Sequence, residues 1–341
     1  MSDLKFIVDN LGDDVIEKFR GKTILITGSN GFLGRWFSDV LNHMNENVLN
    51  NSCTIICADN NIVRDDKRPD SIVLNICNKI YPAMIGVDEL DYIINCAGIA
   101  SPKIYKNYPV ETLDVSYMGT KNILELGEEM NVKSILCFSS SEVYGTPDKD
   151  NIPTTENYTG IIPTMSERSC YDVGKEVLET LSYVYHKKYG SPVKVVRPFN
   201  LYGPKMGVND NRVFPNFIGN ALSNKNLKVY GDGKQTRTFC YIADAMILLF
   251  KLLILGKNGE IYNVGNTKPE LGIIDLAKKV CEVTDTNIDV EVSEYPDFYP
   301  SDEPLRRCPD INKTKSCTGY EAQVKLEDGI SRMFNYYKNE K

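Results

Sequence analysis

Tyr171 and Lys175 stand four residues apart in a stretch that reads as a long helix from Tyr171 to Tyr189, so both side chains share one face. A phenol in water titrates near pH 10, too high for a base at neutrality. A neighbouring ammonium group favours the phenolate, which can then take a hydroxyl proton while hydride leaves the same carbon. Ser140 follows an apolar run ending at Phe138 and can hydrogen-bond that hydroxyl. Taken alone, the tyrosine–lysine spacing is frequent by chance and better fits a solvated helix face. It becomes chemistry only if something upstream accepts the hydride.

Gly28-Ser29-Asn30-Gly31-Phe32-Leu33-Gly34 supplies that candidate. It follows the apolar run Thr23 to Thr27 and opens a helix expected over Phe32 to Met44. Glycines at such a turn let the backbone approach a pyrophosphate, which rests on the helix N-terminus. Asn30, Phe32, Leu33 and, from the later strand end, Ala97 would line the same loop. The next apolar run, Thr54 to Ala58, ends at Asp59 and Asn60, where a carboxylate can accept from both ribose hydroxyls. That charge would repel a 2′-phosphate, which favours NAD over NADP. A glycine turn or a strand-end aspartate is common singly; in register they point to a dinucleotide.

These residues need strands to end beside them. From Thr23 the chain alternates short apolar runs with amphipathic stretches, the rhythm of βαβ units and a parallel sheet. Further strands are expected at Tyr92 to Asn95, Ser134 to Phe138 and Val193 to Val196, with a helix from about Val110 to Met130. Residues 22–197 read as the dinucleotide-binding unit and 198–341 as a smaller, loop-rich substrate unit. A segment near 260–265 would return to the main sheet. Residues 1–21 form an extension, an extra amphipathic helix in the plainest reading.

With 341 residues, 42% of them hydrophobic and 25% charged, the chain can bury a sizeable core. A net charge of −7 disfavours nucleic acid as a partner. Ala245 to Leu255 is too short to span a bilayer, so no membrane partner is expected. Ten scattered cysteines read as reduced thiols and two isolated histidines give no metal site, which implies a cytoplasmic protein.

The glycine pattern, Ser140, Tyr171 and Lys175 resemble the extended short-chain dehydrogenase/reductase family of NAD-dependent nucleotide-sugar epimerases, dehydratases and decarboxylases. The similarity runs from about Lys22 to Tyr337 and implies a Rossmann-type doubly wound α/β sheet with a C-terminal substrate domain. It also implies a homodimer formed through the two long helices. Phe199 to Pro204, Val229 to Gly233 and Gln235 to Phe239 match that family's substrate region. By that likeness Arg212 and Arg237 would contact a diphosphate, Asn200 the sugar-phosphate region and Tyr230 the base, with Val213 beside them.

Ser140 to Gly145, Arg168 to Lys175, Asn211 to Val213 and Arg306 to Asp310 are most similar to the UDP-glucuronate decarboxylase branch. The likeness implies active-site roles for Glu142 and Arg307 and substrate contacts for Ser141, Arg168 and Arg307. Ser141 stands where 4,6-dehydratases usually carry an aspartic acid that protonates a departing hydroxyl. Decarboxylation does not need that acid, because a ketone at C4 of a glucuronate already makes a β-keto acid. Other readings are a 4-epimerase, a dehydratase that manages without the aspartate, or a non-catalytic NAD-binding sensor. Asn95-Cys96-Ala97-Gly98, Ser116 and Asn75 depart from the family's usual residues.

Overall fold

A strand covered on both faces must be apolar throughout, and the runs noted above form such strands. The computed structural model describes residues 2–61, 70–207, 210, 212–295 and 305–340. Seven strands make the main sheet: β1 Thr23–Thr27, β2 Thr54–Asp59, β3 Ile72–Val73, β4 Tyr92–Asn95, β5 Ser134–Phe138, β6 Val193–Pro198 and β7 Ile261–Val264. All neighbours are parallel, in the order β7-β6-β5-β4-β1-β2-β3. The chain first winds outward from β1 and then returns to β4 on its other side. A crevice opens at that reversal, beyond the carboxyl ends of β1 and β4.

Alternation along the strands feeds two cores. Ile24 and Ile26 of β1 join one with Phe37 from helix Phe32–Asn47 and Leu249 from helix Ile242–Leu255. Leu25 joins the other with Leu124 of helix Thr120–Glu129 and Leu178 of helix Ser169–Tyr189. The apolar stretch at Ala245 to Leu255 is therefore a core helix, buried nearly all round against β5, β6 and β7.

The helix expected from Val110 to Met130 is broken in the middle. Helix Pro109–Asp114 runs into a wider π-turn at Val115–Gly119 before helix Thr120–Glu129. Ser116 lies in that turn, its hydroxyl donating to the Thr112 carbonyl at 2.9 Å. It faces Gly174, where a Cβ would meet the Ser116 oxygen at 3.0 Å.

Beyond Pro198 the strands are short. Leu227–Tyr230 pairs with Val290–Ser293, and Thr236–Thr238 lies between Glu270–Gly272 and Arg306–Arg307. The extension forms helix Asp3–Leu11, whose Ile7, Val8 and Leu11 pack on helix Ile242–Leu255. Asp3 accepts from Tyr241 Oη at 2.6 Å and Arg332 Nη1 at 2.7 Å, so the extension grips the C-terminal part of the chain.

Candidate active site

The glycine loop crosses the crevice at the sheet reversal. Gly28 has φ +63°, and a Cβ there would lie 2.7 Å from Ala97 Cα, so only glycine fits between the ends of β1 and β4. At Gly34 a Cβ would meet the Gly28 carbonyl oxygen at 2.3 Å. Gly31 caps helix Phe32–Asn47 without a side-chain acceptor, which leaves the amides of its first turn, including Phe32 and Leu33, for an anion. Ser29 Oγ is buried there with no hydrogen-bond partner among the described residues.

Asp59 ends β2, as the spacing required. Its Oδ2 accepts from the Asn30 amide at 3.0 Å and its Oδ1 from the Asn61 amide at 2.9 Å. Asn30 Nδ2 reaches Asn61 Oδ1 at 2.7 Å, and Asn60 lies in sequence between the two residues of the second strand end that meet Asn30. This cradle fits NAD: bare backbone for the pyrophosphate, and a carboxylate for the ribose hydroxyls.

Ser140, Tyr171 and Lys175 converge where β5 ends against helix Ser169–Tyr189. Burial pushes the Tyr171 phenol up to about 12, although a hydrogen bond from Ser140 works the other way. Lys175 Nζ donates to the Phe138 carbonyl at 2.7 Å and lies 5.6 Å from the Tyr171 ring centre. Burial lowers its ammonium to about 8, against the opposing pull of Cys137, Cys96 and Glu179. Lys175 bonds a carbonyl and is not among the main influences on the phenol in the chain alone, where desolvation outweighs the lowering by Ser140 and Arg212.

Glu142 lies between two buried guanidiniums. Arg168 Nη2 bonds its Oε2 directly, and Arg307 Nη2 approaches the same oxygen at 3.1 Å. Arg307 Nη1 also donates to the Ser141 carbonyl, and Arg168 Nε lies 3.4 Å from Asp172 Oδ2. Burial works to raise the Glu142 carboxyl, but Arg307, then Arg168 and Arg237, outweigh it and hold it below its ordinary range. Arg237 stands directly beside Arg307 in the strand pairing.

The remaining substrate candidates border this cluster to different degrees. Asn200, at φ +38°, donates Nδ2 to the Thr238 carbonyl at 3.0 Å. Arg212 precedes helix Val213–Leu222, pairs with Asp210 at 2.7 Å, and its charge reaches the Tyr171 phenol. Tyr230 ends strand Leu227–Tyr230, its carbonyl accepting from Gln235 Nε2 at 3.5 Å. Asn211 lies outside the described residues.

Two features escaped the sequence reading. Tyr105 stacks on Tyr171 with ring centres 5.4 Å apart and planes 14° from parallel; no spacing links it to the long helix. Glu179 pairs with Arg197 behind the centre. One more step of four along the Tyr171–Lys175 face would have found the glutamate.

A parallel sheet with this reversal, a glycine loop in its crevice and an acid at the end of β2 defines a Rossmann-type dinucleotide-binding protein. The chain belongs to the NAD dependent epimerase/dehydratase family, which it matches over residues 24–265, and NAD is its cofactor. It is 36% identical over 319 residues to UDP-glucuronic acid decarboxylase 6 of Arabidopsis thaliana, covering 91% of this chain and 87% of that one. It is 34% identical over 326 residues to UDP-glucuronic acid decarboxylase 1 of Xenopus tropicalis, with 94% and 73% covered. Among solved structures, an epimerase from Methanothermobacter thermautotrophicus superposes with a TM-score of 0.82 at 23% identity, over 96% of this chain and 95% of that one. The dTDP-glucose 4,6-dehydratase of Bacillus anthracis, solved with NAD, gives 0.76 at 24% identity over 93% and 97%. At such identities these two likenesses carry the fold alone.

Proposed function

We infer that the chain is a NAD-dependent decarboxylase converting UDP-glucuronate to UDP-xylose. The observation that carries this reading is the Arg168–Glu142–Arg307 cluster beside Tyr171, with Ser141 in place of an acid. The decarboxylase names of the relatives at 34–37% identity support it. NAD would take hydride from C4 of the sugar and later return it.

Tyr171 would remove the C4 hydroxyl proton in the first half-reaction and give a proton back in the last, with Ser140 aligning that hydroxyl. The C4 ketone makes the C6 carboxylate β to a carbonyl, so the C5–C6 bond breaks, carbon dioxide leaves, and its electrons form an enolate. Protonation at C5 then restores the ketone before C4 is reduced. Arg307 would engage the carboxylate. Glu142, kept ionised by its arginines, would order water or substrate near C5. Arg237 and Arg212 would hold the diphosphate, Asn200 the sugar-phosphate region and Tyr230 the base.

Incubation of the protein with UDP-glucuronate and NAD, read by mass and proton NMR, tests the assignment. Carbon dioxide and a UDP-pentose are expected. An unchanged substrate refutes it; an isomer of unchanged mass from another nucleotide hexose would mean epimerase, and loss of water dehydratase.

We place the working form as a homodimer. Val110, Leu113, Tyr117, Met118, Tyr183 and Val184 are exposed apolar side chains on the packed helices Pro109–Asp114, Val115–Gly119 and Ser169–Tyr189. Such a patch favours a partner surface. A cytoplasmic setting suits ten free cysteines. No helix among the described residues is long and apolar enough to cross a membrane.

A further inference from the structure

Behind Tyr171 and Lys175 a second buried network joins the elements that position them. Glu179 stands one helical turn beyond Lys175, as Lys175 does beyond Tyr171. Its Oε1 accepts from Ser139 Oγ at 2.6 Å and Arg197 Nε at 2.7 Å, and its Oε2 accepts from Arg197 Nη2 at 2.6 Å. Ser139 immediately precedes Ser140 at the end of β5, and Arg197 belongs to β6. Arg197 is only 7% exposed, its guanidinium lies 4.6 Å from the Tyr144 ring centre and Nη1 donates to the Glu156 carbonyl at 3.1 Å. One carboxylate therefore ties two sheet strands to the helix that carries the oxidising pair. Burying such a fork is a poor way to gain stability, because desolvation offsets most of the attraction. Fixed geometry is what it provides.

We propose that Glu179 is a positioning residue for the oxidation centre: clamped by Arg197, it sets Ser140 through Ser139 and places a negative charge one turn from the Lys175 ammonium. The inference rests on the reading of Tyr171 and Lys175 as the oxidising pair. Lys175 is faced by Tyr171 and Glu179 from its own helix, by Cys137 and the Phe138 carbonyl from β5, and by Cys96 after β4. Burial raises both thiols, Cys137 to about 12 and Cys96 well above its ordinary value, so they stay neutral. Glu179, ion-paired with Arg197 at 2.6 Å, is thus the acid acting on Lys175, with the guanidinium offsetting part of its field. Glu176, also beside Glu179, is raised by burial and by that same charge; together with Arg197 the two glutamates help line a cavity of about 430 Å³.

Without the Glu179 charge, Lys175 gives up its proton at lower pH and the phenol loses its cationic neighbour sooner. Glu179→Gln keeps the shape and removes the charge. With UDP-glucuronate its kcat should fall roughly tenfold to a hundredfold, as for a small misalignment of reacting groups. KM and NAD affinity should stay near wild type, and the alkaline limb of the pH–rate profile should move to lower pH. NMR titration of ¹³C-labelled lysine in the NAD-loaded protein, assigned with Lys175→Arg, should show the Lys175 midpoint falling by about half a pH unit.

That titration needs no turnover. An inactive wild type would therefore sink the functional reading, while an unmoved Lys175 midpoint would sink this one. Glu179→Gln/Arg197→Met restores charge balance if the single variant folds poorly; because Arg197 offsets part of the Glu179 field, its midpoint should also fall, but by less than in the single variant. Ser139→Ala keeps the ion pair and should lower kcat without moving Lys175. Wild-type kinetics in Ser139→Ala, or an unmoved midpoint in the folded double variant, overturns the proposal.

Discussion

Replacing Lys175 by methionine should stop turnover and yet make the protein more stable at neutral pH. Lys175 is 6% exposed, and burial lowers its ammonium from the ordinary 10.5 to about 8. Holding that proton inside the fold costs about 3 kcal/mol at pH 7. Methionine fills similar volume without the charge but loses the 2.7 Å hydrogen bond to the Phe138 carbonyl, worth about 1 kcal/mol. A net gain of about 2 kcal/mol should remain.

The pH dependence supplies the sharper test. The folded-state value is depressed, so below pH 8 both folded and unfolded chains carry the proton and the penalty is complete. Between 8 and 10.5 the folded chain sheds its proton first and the penalty fades. Groups common to both proteins cancel in the difference. Urea unfolding of wild type and Lys175→Met without NAD, at pH 7 and again near 10.5, should therefore show the variant's advantage shrinking and then reversing. A wild type more stable at pH 7, or a difference that ignores pH, would refute the account of Lys175 as a costly buried cation.

Tyr171→Phe should lower kcat by roughly 10²–10⁴-fold while leaving NAD affinity, read by calorimetry, nearly unchanged. Asp59→Ala should weaken NAD binding by about 1–2 kcal/mol and raise the NADP-to-NAD affinity ratio, because the charge opposing a 2′-phosphate is gone. Asp244→Ala should destabilise the fold by about 4 kcal/mol in urea. It orphans the Tyr320 hydroxyl at 2.6 Å and the Gln323 and Val324 amides, both at 3.0 Å.

What the sequence determined is what lies close together along it. Gly28 to Gly34 reads as a turn into a helix because Gly28 and Gly34 leave no room for a Cβ there, and apolar runs of strand length read as buried strands. Tyr171 and Lys175 had to share a face, since helical periodicity is local. Tertiary structure decided what those groups meet. Arg307 reaches Glu142 across 165 positions, and Arg197 closes on Glu179 across 18. Tyr105 arrives over Tyr171 from a separate helix, Pro102–Asn107. The acid–base character of the centre was decided there too. Proximity in sequence puts an ammonium near a phenol, but the dielectric around them depends on which distant segments exclude water. Here those segments raise the phenol and lower the lysine.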